Sequence, residues 1–109
     1  MQGLSVERRQ HDGMTLLVLA GEFDLAAEPL FRSGVDAVVG EPVLVLDLTQ
    51  VSFMDSTGLR LLLETDARVR ENAGRCVIVQ GSGSVHRLIK QGLLAARLEV
   101  VSRLDDVTP

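Results

Sequence analysis

The segment Val43-Leu44-Val45-Leu46-Asp47-Leu48-Thr49-Gln50-Val51-Ser52-Phe53-Met54-Asp55-Ser56-Thr57-Gly58-Leu59 constrains this chain more than any other. Its apolar run from Val43 to Leu48, broken only by Asp47, has the length and β-branched content of a strand covered on both faces. The period then changes: a short loop leads to Asp55, Ser56 and Thr57, three residues able to cap a helix, and Leu59, Leu62 and Leu63 repeat at helical spacing. A hydroxyl in the first turn of such a helix is a natural place for a phosphate. The ester would meet free backbone N–H groups and the positive end of the helix dipole.

The rest of the chain supplies an α/β order with no internal repeat or low-complexity linker. Leu4, Val6 and Arg8 alternate with Ser5, Glu7 and Arg9 as an edge strand does, and His11-Asp12-Gly13 provides turn chemistry before the apolar run Met14 to Ala20. A hairpin follows from this. Between Leu25 and Val39 the residues Ala27, Phe31, Val35 and Val38 fall at helical spacing, Pro29 being tolerated in the first turn, and Gly40 and Pro42 end the helix. A helix over about 57–72 closing at Gly74, a strand over 75–80, a third helix ending near Gly92, a short strand over 98–101 and a last turn capped by Ser102 complete the reading. A hairpin followed by alternating helices and strands implies a mixed sheet. Right-handed crossovers place the main helices on one face and leave the other to smaller cover or partly exposed.

Three blocks in this order resemble the STAS domain, and within it the bacterial anti-sigma factor antagonists. Phe53-Met54-Asp55-Ser56-Thr57-Gly58-Leu59 is similar to the family's signature, and Leu19-Ala20-Gly21-Glu22-Phe23-Asp24 to its Gly-Glu-hydrophobic-Asp element. Gly74-Arg75-Cys76-Val77-Ile78-Val79, with Ser84-Val85-His86-Arg87-Leu88-Ile89 after it, resembles the strand and helix that follow. The resemblance covers nearly the whole chain and implies one STAS domain over 1–109, a regulator and not an enzyme.

From spacing alone Ser56 is a plain N-cap worth about 1 kcal/mol. The resemblance implies more: its phosphoacceptor matches Ser56 and not Thr57, and it places Asp24 beside Ser56 on one rim of the sheet. The implied mechanism is partner switching. The unphosphorylated domain binds an anti-sigma factor and frees a sigma factor. The partner, a serine kinase of the histidine-kinase-like ATPase fold, then phosphorylates Ser56, and a serine phosphatase reverses this. The expected binding surface is Asp24, Asp55, Ser56, Thr57, Gly58, Leu59 and Leu61. Asp24 and Asp55 also read as ordinary turn and capping carboxylates, and Asp47 as one that satisfies a loop backbone. Asp66 interrupts the apolar stripe of the second helix, which implies a rotated helix or a loosely packed C-terminal half, and Leu61 falls off that stripe into partial exposure beside Ser56.

Composition narrows the alternatives. A 109-residue chain with 46% hydrophobic residues builds one core, and its formal net charge of −4 with no basic cluster disfavours nucleic acid. With no signal-peptide pattern or membrane-length apolar run, the expected compartment is the cytoplasm. The lone Cys76, inside an apolar strand, reads as a buried thiol, and the His and carboxylate spacing offers no metal site or cofactor. Gly81-Ser82-Gly83-Ser84 lacks the residues of a phosphate-cradling motif and reads as a strand-to-helix connection. Two other functions fit the same chain: a non-switching STAS scaffold or accessory subunit of a larger assembly such as a lipid transporter, and, more remotely, a small hydrolase using Ser56 with His86. The latter lacks a nucleophile elbow, since the flanking residues are Met54-Asp55-Ser56-Thr57-Gly58, and His86 reads as solvent-exposed.

Overall fold

The computed structural model describes residues 3–81, 83–91 and 96–108. The chain forms β1 (Leu4–His11), β2 (Met14–Phe23), a 3-10 turn (Leu25–Ala27), α1 (Glu28–Asp36), β3 (Val43–Met54), α2 (Ser56–Glu71), β4 (Arg75–Val79), α3 (Gly83–Gln91), β5 (Glu99–Val101) and a second 3-10 turn (Leu104–Asp106). The five strands lie in sequence order in one sheet. β1 and β2 are antiparallel and the remaining pairs parallel, so the expected hairpin and mixed sheet are both present. The positive φ values of Asp12 and Gly13 close the hairpin.

Strand alternation divides the core into two. Leu17, Leu19, Leu44, Leu46, Leu48, Cys76 and Ile78 face the helices and pack with Phe31, Val35, Leu61, Leu62, Val69, Val85 and Ile89. Met14, Leu16, Val45, Val77 and Val79 point the other way and are covered by Val107 and Leu104 from the chain's last turn. The second face therefore has the smaller cover that one-sided crossovers imply. That last turn starts from Arg103, whose side chain makes no capping bond, and not from Ser102 as the sequence suggests.

β3 is longer than its apolar run. It continues through Thr49–Met54, where a loop is expected, because β2 stays paired with it to its end: Gly21 with Val51, Glu22 with Phe53, Phe23 with Met54. Two register shifts in the β2–β3 pairing, each giving β3 one extra residue, re-aim this stretch, the second lying between Gly21 and Glu22. At φ +101° and with a Cβ position only 2.2 Å from the Gly3 carbonyl oxygen, residue 21 accommodates nothing larger than hydrogen. β4 stops opposite Asp47 and β1 reaches only to Gly21, so Glu22–Phe23 and Phe53–Met54 project beyond the rest of the sheet as a short two-stranded ribbon.

The first helix is split where a single helix over 25–39 is expected: a 3-10 turn over Leu25–Ala27 precedes α1, with Pro29 in the first α-turn. α2 ends through Ala73, at φ +62°, while the Gly74 N–H bonds back to the Val69 carbonyl at 2.9 Å. Gly74 itself is needed for a packing reason. A Cβ there would lie 2.9 Å from the Glu41 carbonyl oxygen. The expected end of the third helix near Gly92, and Ser82 in the loop before it, lie outside the described residues.

Candidate functional site

The projecting ribbon carries the candidate site on its tip. Phe23 and Met54 are paired neighbours, so Asp24 and Asp55, one residue further on, leave the sheet side by side at the C-terminal ends of two parallel strands. Each carboxylate caps the helical segment it precedes. Asp24 Oδ1 accepts from the Ala27 N–H at 3.3 Å, and Asp55 Oδ1 accepts from the N–H groups of Thr57 at 2.9 Å and Gly58 at 3.3 Å. The capping reading of both residues is thus realised. Asp47 likewise accepts from the backbone N–H of Thr49 at 2.9 Å and its hydroxyl at 2.7 Å.

Ser56 is the first residue of α2 and is exposed. With Asp55 serving the free N–H groups, its hydroxyl has no capping task. Among the described residues no hydrogen bond joins it to Asp24, although the strand register puts both on one rim. Thr57 and Leu59 are half-buried, and Gly58 is buried for a packing reason. A Cβ at residue 58 would sit 2.4 Å from Met54 Cγ and 2.9 Å from the Phe23 carbonyl oxygen, so the first turn of α2 presses on the ends of both strands.

Leu61 is a correction. It is 1% exposed, in the core with Leu62, because α2 is rotated relative to the stripe read from the sequence. Its inward positions are Gly58, Leu61, Leu62, Thr65, Asp66 and Val69, while Leu59 and Leu63 lie at the margin. Thr65 fits inside by donating its hydroxyl to the Leu61 carbonyl at 2.8 Å. Asp66 remains buried and pairs with Arg70 at 2.9 Å. Burial pushes its carboxyl above the ordinary range, and Arg70 pulls against that.

The surface that Leu61 was expected to supply is occupied by charge. Arg60 and Arg32 each pair with both Glu28 and Glu64, at 2.8–2.9 Å, closing a four-membered ring between α1 and α2. The two i,i+4 pairs, Glu28 with Arg32 and Arg60 with Glu64, are visible in the sequence as a pattern, but their cross-linking depends on how the helices meet. Hydrogen bonds from Arg32 and then Arg60 hold the Glu28 carboxyl below its usual range. Near the acidic tip, Phe53 is 46% exposed beside Glu22, and Leu25 and Leu30 are also exposed.

No group of metal-ligating side chains occurs among the described residues, and none of their helices is long and apolar enough to cross a membrane. His86 is half-buried, not solvent-exposed, and lines a crevice with Thr49, Gln80, Gly81, Gly83 and Ser102 from which Ser56 is absent. The two residues a hydrolase would have to combine do not share a pocket.

This α/β sheet with its capped, hydroxyl-bearing tip places the chain in the STAS domain family, to which it belongs: the family's model matches residues 5–107. Its relatives sharpen that class. Over 81 residues, 72% of this chain, it is 30% identical to the anti-sigma-F factor antagonist RsfB of Mycobacterium tuberculosis, and the matched part is 66% of that protein's length. The structure of an anti-sigma factor antagonist from Mycobacterium paratuberculosis superposes with a TM-score of 0.84 at 29% identity, covering 95% of this chain and 90% of that one. The antagonist SpoIIAA in its unphosphorylated form shares the fold, with a TM-score of 0.68 at 18% identity over 94% of this chain and 92% of that one. A STAS domain with such relatives is a regulatory module and not an enzyme.

Proposed function

We propose that this chain is an anti-sigma factor antagonist whose unphosphorylated form docks on an anti-sigma factor through the tip around Ser56, freeing a sigma factor, and that phosphorylation of Ser56 reverses this. One observation carries the reading: Asp55 performs the capping, so the exposed Ser56 hydroxyl is available for another purpose. The relatives named as anti-sigma factor antagonists support the role. The docking surface we assign is Asp24, Asp55, Ser56, Thr57 and Leu59, with Phe53 and Leu25 as exposed apolar neighbours and the buried Gly58 acting beneath it by packing.

In the proposed cycle the partner is itself a serine kinase of the histidine-kinase-like ATPase fold, acting in the cytoplasm. Ser56 Oγ attacks the γ-phosphorus of ATP, the bond to the β-phosphate oxygen breaks and ADP leaves. The hydroxyl proton goes to a base of the kinase. A serine phosphatase hydrolyses the ester and restores the active form. The phosphate adds a charge near −2 next to Asp24 and Asp55, and repulsion with desolvation at the interface dissociates the complex. The fold receives this charge without repacking, since it arrives at a helix N-terminus.

Titration calorimetry with a candidate anti-sigma kinase tests the proposal. Ser56→Ala should bind and resist release by ATP, and Ser56→Asp should bind at least tenfold more weakly. Adding Asp24→Asn to Ser56→Asp should restore part of that affinity, most clearly at low salt. Equal affinities for Ser56→Ala and Ser56→Asp would reject the switch, and label that survives Ser56→Ala would reject the site.

A further inference from the structure

We infer that Arg60 is an electrostatic latch: a phosphate on Ser56 takes it from Glu28 and Glu64, opening the ion ring and carrying the modification from α2 to the start of α1. The inference rests on the reading of Ser56 as the phosphoacceptor. Its own basis is the placement of Arg60. Ser56 and Arg60 stand four residues apart on the same exposed face of α2, the spacing at which helical side chains meet, and Arg60 is 47% exposed and therefore free to swing. In the unmodified protein it is held by two single carboxylate contacts, Glu28 at 2.9 Å and Glu64 at 2.8 Å. A phosphate dianion offers three acceptor oxygens and about twice the charge of either carboxylate, and binds the planar guanidinium through paired hydrogen bonds.

The consequence is asymmetric. Arg32 keeps both Glu28 and Glu64, so the helices stay joined by half of the ring. Glu28, however, loses one of its two guanidinium partners, and it lies in the first turn of α1, directly after the 3-10 turn that Asp24 caps. Modification at one helix start is thereby felt at the other, on both elements of the proposed docking tip. The same exchange neutralises part of the phosphate's charge within the chain, so that Arg60 sets how strongly the phosphate repels a partner.

The test installs phosphoserine at residue 56 during synthesis, so that it needs no kinase and its outcome is independent of whether the kinase chooses Ser56. The readouts are a 31P titration of the phosphate and the Nε–H resonances of Arg60 and Arg32. In the unsubstituted phosphoprotein the second ionisation should lie about half a unit below that in Arg60→Gln, about a threefold change in proton affinity. Asp24 and Asp55 act on both proteins alike and cancel in the difference. Arg32→Gln should leave the phosphate titration unmoved, which separates a direct contact from a general loss of positive charge. The Arg60 resonance should shift on phosphorylation while that of Arg32 moves less. Coincident titrations for the unsubstituted protein and Arg60→Gln would overturn the inference. An Arg60 resonance indifferent to the phosphate would do so as well, without any substitution.

Discussion

Asp24 and Asp55 are structural counterparts: each follows one member of the paired strand ends Phe23 and Met54, and each turns back to cap the helical segment it begins. Two carboxylates are thus fixed side by side at the tip for reasons of local structure, before any partner is considered. Their negative charge is available to the proposed phosphate switch because capping places it there.

The caps can be weighed by denaturation. Asp55→Ala removes the acceptor for two N–H groups and should cost about 1 to 2 kcal/mol, whereas Ser56→Ala, which removes no capping bond, should stay within about 0.5 kcal/mol of the parent. Asp55→Ser should recover much of the loss. A Ser56→Ala cost equal to that of Asp55→Ala would assign the cap to the wrong residue.

Gly58 should tolerate substitution poorly although it lies in a helix, where alanine is ordinarily favoured. The alanine methyl would meet Met54 and the Phe23 carbonyl oxygen, and Gly58→Ala should therefore destabilise the fold by about 1 to 3 kcal/mol. Combining it with Met54→Ala should not restore parent stability, because the carbonyl belongs to the backbone and cannot withdraw. Urea midpoints of the two variants decide the point.

Ala73 offers the opposite case. Its φ of +62° is a left-handed conformation that costs a residue bearing a Cβ about 1 kcal/mol, and Ala73→Gly should raise the stability by a similar or smaller amount. An unchanged or lowered midpoint would show that the strain at this helix end is absorbed elsewhere.

Asp66 makes a pH prediction with a definite sign. Burial raises its carboxyl above the unfolded value, so the folded state holds the proton more tightly, and this contribution to stability is present at low pH and lost as pH rises through the raised value. Arg70→Ala removes the charge that offsets the burial and should cost about 1 kcal/mol at neutral pH but little at about pH 3, where Asp66 is protonated. Asp66→Leu should be neutral or stabilising at neutral pH and should flatten the profile. A loss in Arg70→Ala that is equal at both pH values would mean that Arg70 acts by packing alone.

Period-two alternation at Leu4–Arg9, the β-branched runs at Val43 and Val77, and the capping residues Asp24 and Asp55 are local signals, and the strands, helices and hairpin they indicate are present. The start of α2 was legible as well, since Asp55, Ser56, Thr57 and Gly58 run consecutively and Asp55 is among the capping residues read there. What escaped depends on contacts between distant segments. The strand beyond Leu48 is held by β2 and not by its own apolar content. The rotation of α2 that buries Leu61 places Thr65 and Asp66 inward, each with a partner one turn away, which a stripe counted in leucines does not anticipate. The ion ring needs two helices in a particular apposition, and no spacing along one of them encodes it.

The cover of the second sheet face has a consequence for how the chain comes into being. Met14, Leu16, Val45, Val77 and Val79 are closed over by Leu104 and Val107, residues that leave the ribosome after the whole sheet has been made. Until they emerge, the nascent domain presents an oily plane to its surroundings, with one side of the sheet finished and the other bare. A chain that stopped short of Leu104 would keep this apolar face bare, so the two residues guard the sheet against association with other exposed apolar surfaces.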